Sequence, residues 1–95
     1  MRIEIDKSFE KDLSKIKDQS LREKVAEVIE HVLDVDHRKQ IQKLKKLQGF
    51  ENYYRIKLGD YRIGIEIEKS PENTGEEIVT FIRFIHRKDI YRYFP

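Results

Sequence analysis

The 95-residue chain contains no cysteine, no tryptophan and a single methionine. Without cysteine it has no disulfide framework and no thiolate chemistry. No apolar run approaches the roughly 20 residues that a membrane-spanning helix needs, and no charged and apolar leader opens the chain. We therefore expect a cytoplasmic protein with no membrane partner.

Glycine and histidine are also scarce, and their positions argue against phosphate-binding loops, dinucleotide sites and metal sites. The four glycines are Gly49, Gly59, Gly64 and Gly75, and they form neither a glycine-rich phosphate loop nor a dinucleotide fingerprint. The three histidines are scattered and show no ligand spacing typical of a metal site. Each serine has a place as a helix cap or in a turn. We therefore expect no metal and no cofactor.

Charged residues are plentiful, at 40% of the chain, and they are unevenly distributed. Residues 1–36 hold seven Lys/Arg against ten Asp/Glu, residues 37–66 hold eight against three, and residues 67–95 hold five against five, giving −3, +5 and 0. An anionic partner such as nucleic acid should be steered to the middle third. With this length and no internal repeat, residues 1–95 are expected to form a single domain.

The most informative stretch is residues 53–68, which reads YYRIKLGDYRIGIEIE. Two alternating runs flank Gly59-Asp60, and such a link supplies the positive φ of a tight hairpin turn. The predicted register begins with Leu58 opposite Tyr61. One face of the hairpin is then apolar and suited to a core.

The other face of the hairpin carries Arg55, Lys57 and Arg62, with Lys57 opposite Arg62. Like charges in directly opposed positions destabilise a strand pair by about 0.2 to 1 kcal/mol, so folding alone does not explain the cluster. Gly64 opposite Arg55 leaves a hollow, and a glycine inside a strand often marks close approach of a ligand. A cationic face with a notch indicates an anion-binding surface.

Hydrophobic periodicity predicts the remaining elements. The strand at 77–85 is apolar on both faces, as expected of an interior strand that is covered twice. The N-terminal part is predicted to hold a strand at 1–5, a helix at 9–17 capped by Asp6 or Ser8, and a second helix that opens with a capping box at 20–23. A basic connector with one short helical turn follows at 35–51 and leads to the two hairpin strands. A turn at 70–75, the strand at 77–85 and a helical turn that stops before Pro95 complete the chain.

Cations, phenols and one histidine remain as candidates for chemistry. Cleavage of RNA can proceed without metal, because its 2′-hydroxyl is a built-in nucleophile and preorganised cations stabilise the transition-state charge. Aromatic rings stack on splayed bases, and histidine transfers protons near neutral pH. Basic side chains before the hairpin could guide a phosphate backbone toward it. The candidate residues are Arg55, Lys57, Arg62, Arg87, Tyr91, Tyr53, His86, Lys43, Lys45 and Lys46.

These segments resemble the RelE/ParE superfamily of bacterial and archaeal toxins, and RelE-type mRNA interferases in particular. The resemblance is carried by LKKL at 44–47, YYRIKLGDYRI at 53–63 and HRKDIY at 86–91. It implies an α+β, sandwich-like fold of order β-α-α-β-β-β-α. In that fold a mainly antiparallel four-stranded sheet has the two N-terminal helices on one face and a short C-terminal helix.

The resemblance also implies site residues. Arg55 and Lys57 match the two basic positions of the family's second strand, and Arg62 matches the arginine of the next strand. Arg87 matches the arginine that follows the last strand. Tyr91 matches the C-terminal tyrosine. RelE enzymes can have lysine where this chain has Arg55, and an arginine cannot act as a base. The base is then Lys57, Tyr91 or His86, of which we favour Lys57.

The resemblance also implies roles for these residues. Arg55 and Arg62 hold the scissile phosphate, and Arg87 protonates or electrostatically assists the leaving 5′-oxygen. Tyr91 and Tyr53 hold the bases.

The implied activity is ribosome-dependent cleavage of mRNA by 2′-hydroxyl attack without metal. The implied partners are the ribosome, mRNA and a cognate antitoxin, through which alone DNA would be contacted. Two other functions fit the sequence. One is a ParE-like toxin that inhibits DNA gyrase without nuclease activity, and the other is an RNA-binding module without turnover, whose binding would depend strongly on salt.

Overall fold

The computed structural model describes residues 1–72 and 75–95, and its elements give the predicted α+β class. Asn73 and Thr74, within the predicted turn at 70–75, lie outside the described residues. No helix in the described ranges combines the length and apolar character of a membrane span. The elements are β1 (Arg2–Ile5), α1 (Lys7–Ser14), α2 (Gln19–Asp34), a 3₁₀ turn (Arg38–Gln40), β2 (Leu44–Lys46), β3 (Tyr53–Leu58), β4 (Tyr61–Lys69), β5 (Glu77–His86) and α3 (Ile90–Tyr93).

The two long helices each begin at an aspartate whose side chain accepts a hydrogen bond from the first turn. Asp6, one of the two predicted caps, accepts from the backbone N–H two residues later at 3.2 Å. Asp18 accepts from the N–H three residues later at 3.2 Å and caps α2. The predicted cap at Ser20 is wrong, because Asp18 offers a charged acceptor earlier and the helix starts before Ser20. Helix α1 likewise begins and ends earlier than the predicted 9–17.

All five strands form one sheet in the order β1-β5-β4-β3-β2. Strand β1 is parallel to β5, and the other neighbours are antiparallel. The hairpin register is confirmed from Leu58 opposite Tyr61 to Tyr53 opposite Glu66. Gly59 has φ +57°, the left-handed conformation that the tight turn requires. Strand β5 lies between β1 and β4, in the interior position that its apolar sequence predicts.

The sheet contains one strand more than predicted, since Leu44–Lys46 pairs with the edge of β3. This segment belongs to the stretch predicted as a basic connector. Three residues are too few to show alternation, and they are extended because the edge of β3 offers unpaired backbone groups. The predicted short helical turn of the same stretch is found at Arg38–Gln40.

The helices and the C-terminal tail, residues 87–95, cover opposite faces of the sheet. On one face, Phe9, Val25 and Val32 of the helices pack in a buried core with the apolar side chains of β3, β4 and β5. On the other, Ile90 and Phe94 of the tail form a smaller cluster with Leu47, Tyr53, Ile82 and Ile85. We call these the helix side and the tail side. The predicted double covering of β5 is confirmed.

One ion pair joins the 3₁₀ turn to the start of β5 and makes the stability depend on pH. The Arg38 guanidinium donates to the Glu77 carboxylate and holds the pKa of Glu77 below its usual value. A carboxyl group with a lowered folded-state pKa stabilises the fold fully above its unfolded pKa, about 4.3. That stabilisation is lost as the pH falls through the lower, folded-state pKa.

We therefore expect Glu77→Gln to lower the free energy of unfolding at pH 7 by about 1 kcal/mol. The variant should also lose less stability than the wild type on acidification from about pH 5 to 3. Urea titrations at each pH measure both effects. Equal acid sensitivity of the two chains would contradict this account.

Candidate nucleic-acid interface

Four cationic side chains occupy neighbouring positions on the tail side of β2, β3 and β4. Lys45 lies opposite Arg55, and Lys57 lies opposite Arg62. Residues in directly opposed positions have Cβ atoms about 5 Å apart, and residues two apart on one strand point to the same face. Lys45, Arg55, Lys57 and Arg62 therefore form one cluster, which we call the cation face.

Backbone carbonyl groups orient the two arginines of the cation face. Nη1 of Arg62 donates to the carbonyl oxygens of Gly59 and Tyr61, each at 2.8 Å. Nη1 of Arg55 donates to the carbonyl oxygen of Lys43 at 3.0 Å. Among residues 1–72 and 75–95, no carboxylate lies within ion-pairing distance of the four side chains. Their positive charge is therefore not neutralised within this part of the chain.

Lys43 contacts the cation face through its backbone carbonyl group. Its φ of +62° is uncommon for a residue with a side chain and costs roughly 1 kcal/mol. In this conformation its carbonyl oxygen accepts from Arg55 and also from the backbone N of Lys57, at 3.3 Å. Local strain thus accompanies the orientation of the arginine.

Arg87 lies at the end of the sheet where Lys57 and Arg62 meet. Its backbone N donates to the carbonyl oxygen of Asp60 at 2.8 Å, and its Nε lies 3.8 Å from Asp60 Oδ1. Asp60 stands between the two carbonyls that hold Arg62. More than half of the Arg87 side-chain surface is exposed, so its charge remains available to a ligand.

The tail packs beside the cation face and fills the hollow at Gly64, which lies opposite Arg55. A Cβ atom at Gly64 would lie 2.7 Å from Cγ of Phe94, whose ring is buried. The hollow predicted as a ligand notch is therefore occupied by the chain itself. The glycine is required for close approach of the tail, which the local sequence of the hairpin does not reveal.

Gly64→Ala is expected to displace the tail, because the new methyl group and the Phe94 ring cannot share this space. We expect a loss of about 1 to 3 kcal/mol in the free energy of unfolding and faster tryptic cleavage after Arg92. Urea unfolding and limited proteolysis measure the two effects. If the tail is the cause, Gly64→Ala should cost little more once Phe94→Ala is present. A stable, protease-resistant Gly64→Ala variant would contradict this packing.

Tyr53 is on the tail side but is engaged in packing. Its ring meets Phe94 edge-on at 5.5 Å and Phe50 edge-on at 6.0 Å between centroids. It lies opposite Glu66, where burial raises the pKa of the carboxyl group, the Glu68 charge adds to this, and a hydrogen bond from Tyr53 opposes it. Tyr91, in contrast, is 66% exposed in the tail.

Two candidates from the sequence are not on the cation face. His86 lies opposite Tyr61 on the helix side, with the rings edge-on at 5.7 Å, and its Nδ1 accepts from the backbone N of Lys88 at 3.2 Å. Lys46 lies opposite Tyr54, whose buried ring belongs to the helix-side core. The alternation of strand side chains separates both residues from Arg55 and Lys57.

Two further residues near the site, Arg83 and Phe50, are not among the candidates predicted from the sequence. Arg83 donates through Nε and Nη2 to the Asp12 carboxylate, at 2.7 and 3.2 Å, and through Nη1 to the carbonyl oxygen of Tyr93 at 3.4 Å. It thereby joins α1 to the tail, and a lone charge within an apolar strand was the available signal. The second is Phe50, a half-exposed aromatic residue in the turn before β3.

The chain is thus a small α+β protein with one five-stranded sheet, two helices on one face and, on the other face, a cation face beside a short C-terminal helix. A model of the family described as "ParE toxin of type II toxin-antitoxin system, parDE" matches residues 3–91. Toxin RelE3 of Methanocaldococcus jannaschii is 38% identical over 96 residues, which cover the whole of both chains.

Solved structures agree with this likeness. The crystal structure of a RelB-RelE antitoxin-toxin complex from Methanococcus jannaschii matches with a TM-score of 0.67 at 37% identity, over 97% of this chain and 99% of that one. The intact E. coli RelBE toxin-antitoxin complex matches with a TM-score of 0.63 at 22% identity, over 90% and 94%, and supports the fold alone. The chain belongs to the RelE/ParE family of toxins of type II toxin-antitoxin systems.

Proposed function

We propose that the chain is a ribosome-dependent mRNA endoribonuclease. In the reaction, the 2′-hydroxyl oxygen attacks the adjacent phosphorus and the bond to the 5′-oxygen breaks. The products are a 2′,3′-cyclic phosphate and a 5′-hydroxyl end. The observation that carries the proposal is the cation face, because cations fixed in advance stabilise the charge that gathers on the phosphoryl oxygens in the transition state.

The geometry supports a division of roles within this site. Arg55 and Arg62, already oriented by carbonyl oxygens, bind the non-bridging oxygens of the scissile phosphate. Lys57, exposed beside them, takes the 2′-hydroxyl proton in its neutral form. Arg87, near the same end of the sheet, stabilises the charge on the leaving 5′-oxygen, which takes a proton from water and becomes the 5′-hydroxyl. The exposed Tyr91 stacks on a base of the message.

A cognate antitoxin is the proposed protein partner, binding over the cation face or displacing the tail from it. The relatives from M. jannaschii and E. coli were both solved as complexes of toxin with antitoxin. DNA is contacted only through the antitoxin in this proposal, and the site of action is the cytoplasm. Co-expression with the product of the neighbouring open reading frame should give a stable complex that no longer cleaves message.

The function is tested by adding the purified chain to a translating extract and mapping the 5′ ends of the messages. New ends are expected within translated codons, and they should disappear when ribosomes are removed. Intact messages, or equal cutting of free RNA, would contradict the proposal.

A second candidate function is inhibition of DNA gyrase, which is favoured by the description of the matching family as ParE. A gyrase inhibitor has no evident need for a cluster of unneutralised cations suited to phosphate. Supercoiling of a relaxed plasmid by gyrase should proceed normally in the presence of the chain if the nuclease proposal is right. Blocked supercoiling with untouched RNA would favour the gyrase function.

A further inference from the structure

A groove of about 580 Å³ opens between the tail and the turn that precedes β3. This volume is within the range of small-molecule sites, roughly 300 to 1,000 Å³. Leu47 and Phe94 line it and are buried. Phe50 and Tyr91 also line it but are 46% and 66% exposed, and Lys45 contributes a cation. The groove therefore combines an apolar floor, two accessible aromatic residues and a positive charge.

Internal packing does not account for the two exposed aromatic residues. Phe50 contacts Tyr53 only edge-on, with 6.0 Å between ring centroids, and no ring of the described residues packs against Tyr91. Leaving apolar ring surface in water forgoes the stabilisation that burial would give. Accessible aromatic side chains beside cations are the arrangement by which proteins bind single-stranded nucleic acid.

The groove is continuous with the cation face. Lys45 belongs to both, and it lies directly opposite Arg55 across the β2–β3 pair. A phosphate backbone that runs from Arg55 to Lys45 would therefore deliver its next base into the groove. That base belongs to a nucleotide beside the scissile one, because the proposed reaction centre lies at Lys57 and Arg62, farther from the groove.

We propose that this groove is a nucleobase subsite, in which Phe50 is a second stacking residue for an unpaired base of the RNA. The base lies against Phe50 and Tyr91, and its phosphate lies on Lys45. This inference rests on the proposed function, which identifies the bound RNA strand as messenger RNA. Since every base has a π-face, the subsite accepts all four bases with modest preferences.

Phe50→Trp tests the subsite directly, because the chain has no other tryptophan. The full-length variant is titrated with single-stranded RNA of about ten nucleotides, and indole fluorescence is followed together with the anisotropy of labelled RNA. We expect the indole emission to be quenched in step with RNA binding. An abasic oligonucleotide with the same phosphates should bind with little quenching. Leu33→Trp, at a half-exposed position on α2, should show no quenching.

A second pair of variants measures the contribution of the ring to affinity. Phe50→Leu keeps apolar contact with Tyr53 but removes the aromatic face, and it should weaken RNA binding about tenfold. Phe50→Tyr should retain wild-type affinity. Both variants leave every residue of the cation face in place, so a loss with Phe50→Leu alone is attributable to stacking.

The proposal is overturned if the indole emission is unchanged when the protein is saturated with RNA, or if Phe50→Leu binds RNA as well as the wild type. Quenching by the antitoxin with no response to RNA would assign the groove to the protein interface and also overturn it. These results leave the proposed nuclease function intact if message is still cleaved. Quenching by RNA without cleavage of message would support the subsite and refute the nuclease.

Discussion

Lys57→Ala is expected to slow cleavage of message on the ribosome by about 10² to 10³-fold, because a positioned general base typically contributes about 10² to 10⁴-fold to the rate. Lys57→Arg keeps the positive charge but cannot accept a proton, because arginine stays protonated in proteins. If Lys57 is the base, the two variants should be impaired to a similar degree. Single-turnover cleavage on programmed ribosomes measures both rates.

Lys69→Ala is the matched control for this experiment. Lys69 is an exposed cation of β4, but by strand alternation it lies on the helix side of the sheet. Its removal should leave the cleavage rate unchanged. Lys57→Ala should not destabilise the fold, since Lys57 faces Arg62 and like charges repel. Unaltered cleavage by Lys57→Ala, together with a higher free energy of unfolding, would show that Lys57 has no role in cleavage and that the cation face is an ordinary solvated strand surface.

Asp12→Ala should lower the free energy of unfolding by about 3 kcal/mol, the lower end of the cost of breaking a buried ion pair. The Asp12 side chain is 9% exposed and that of Arg83 is 26% exposed. Besides two bonds from Arg83, the Asp12 carboxylate accepts from the backbone N of Phe84 at 2.9 Å. The alanine variant therefore leaves both a cation and a buried amide without their acceptor. Urea unfolding measures the loss.

Asp36→Ala removes an exposed carboxylate and should change the free energy of unfolding by no more than about 0.5 kcal/mol. Asp12→Asn keeps an acceptor for the Phe84 amide but removes the charge, so its loss should be intermediate. Because Arg83 also donates to Tyr93, the alanine variant should make the tail more susceptible to trypsin. A variant as stable as the wild type would contradict the assigned role of this pair.

The hairpin could be predicted in residue detail because its information is local. Alternation within two runs and a two-residue turn at Gly59 determine the register, and the register alone places Lys57 opposite Arg62. The interior position of β5 was similarly available from its two apolar faces. Membership of these residues in a catalytic centre remains a prediction.

The rest depended on contacts between distant parts of the chain. Strand β2 is extended because it pairs with β3, and Gly64 is needed because Phe94 lies on it, thirty residues later in the chain. The position of His86 on the helix side follows from its pairing with Tyr61, which the sequence did not reveal. In each case a three-dimensional neighbour, and not the local pattern, decides the role of the residue.

We infer that the cation face directs 2′-hydroxyl attack on message, and the chemical groups at the new RNA ends show whether it does. Message recovered from a translating extract treated with the wild-type chain should carry 2′,3′-cyclic phosphate and 5′-hydroxyl ends. The same extract treated with Lys57→Ala should show almost none over the same time. Fragments with 3′-hydroxyl and 5′-phosphate ends, or message that stays intact with the wild-type chain, would contradict the claim.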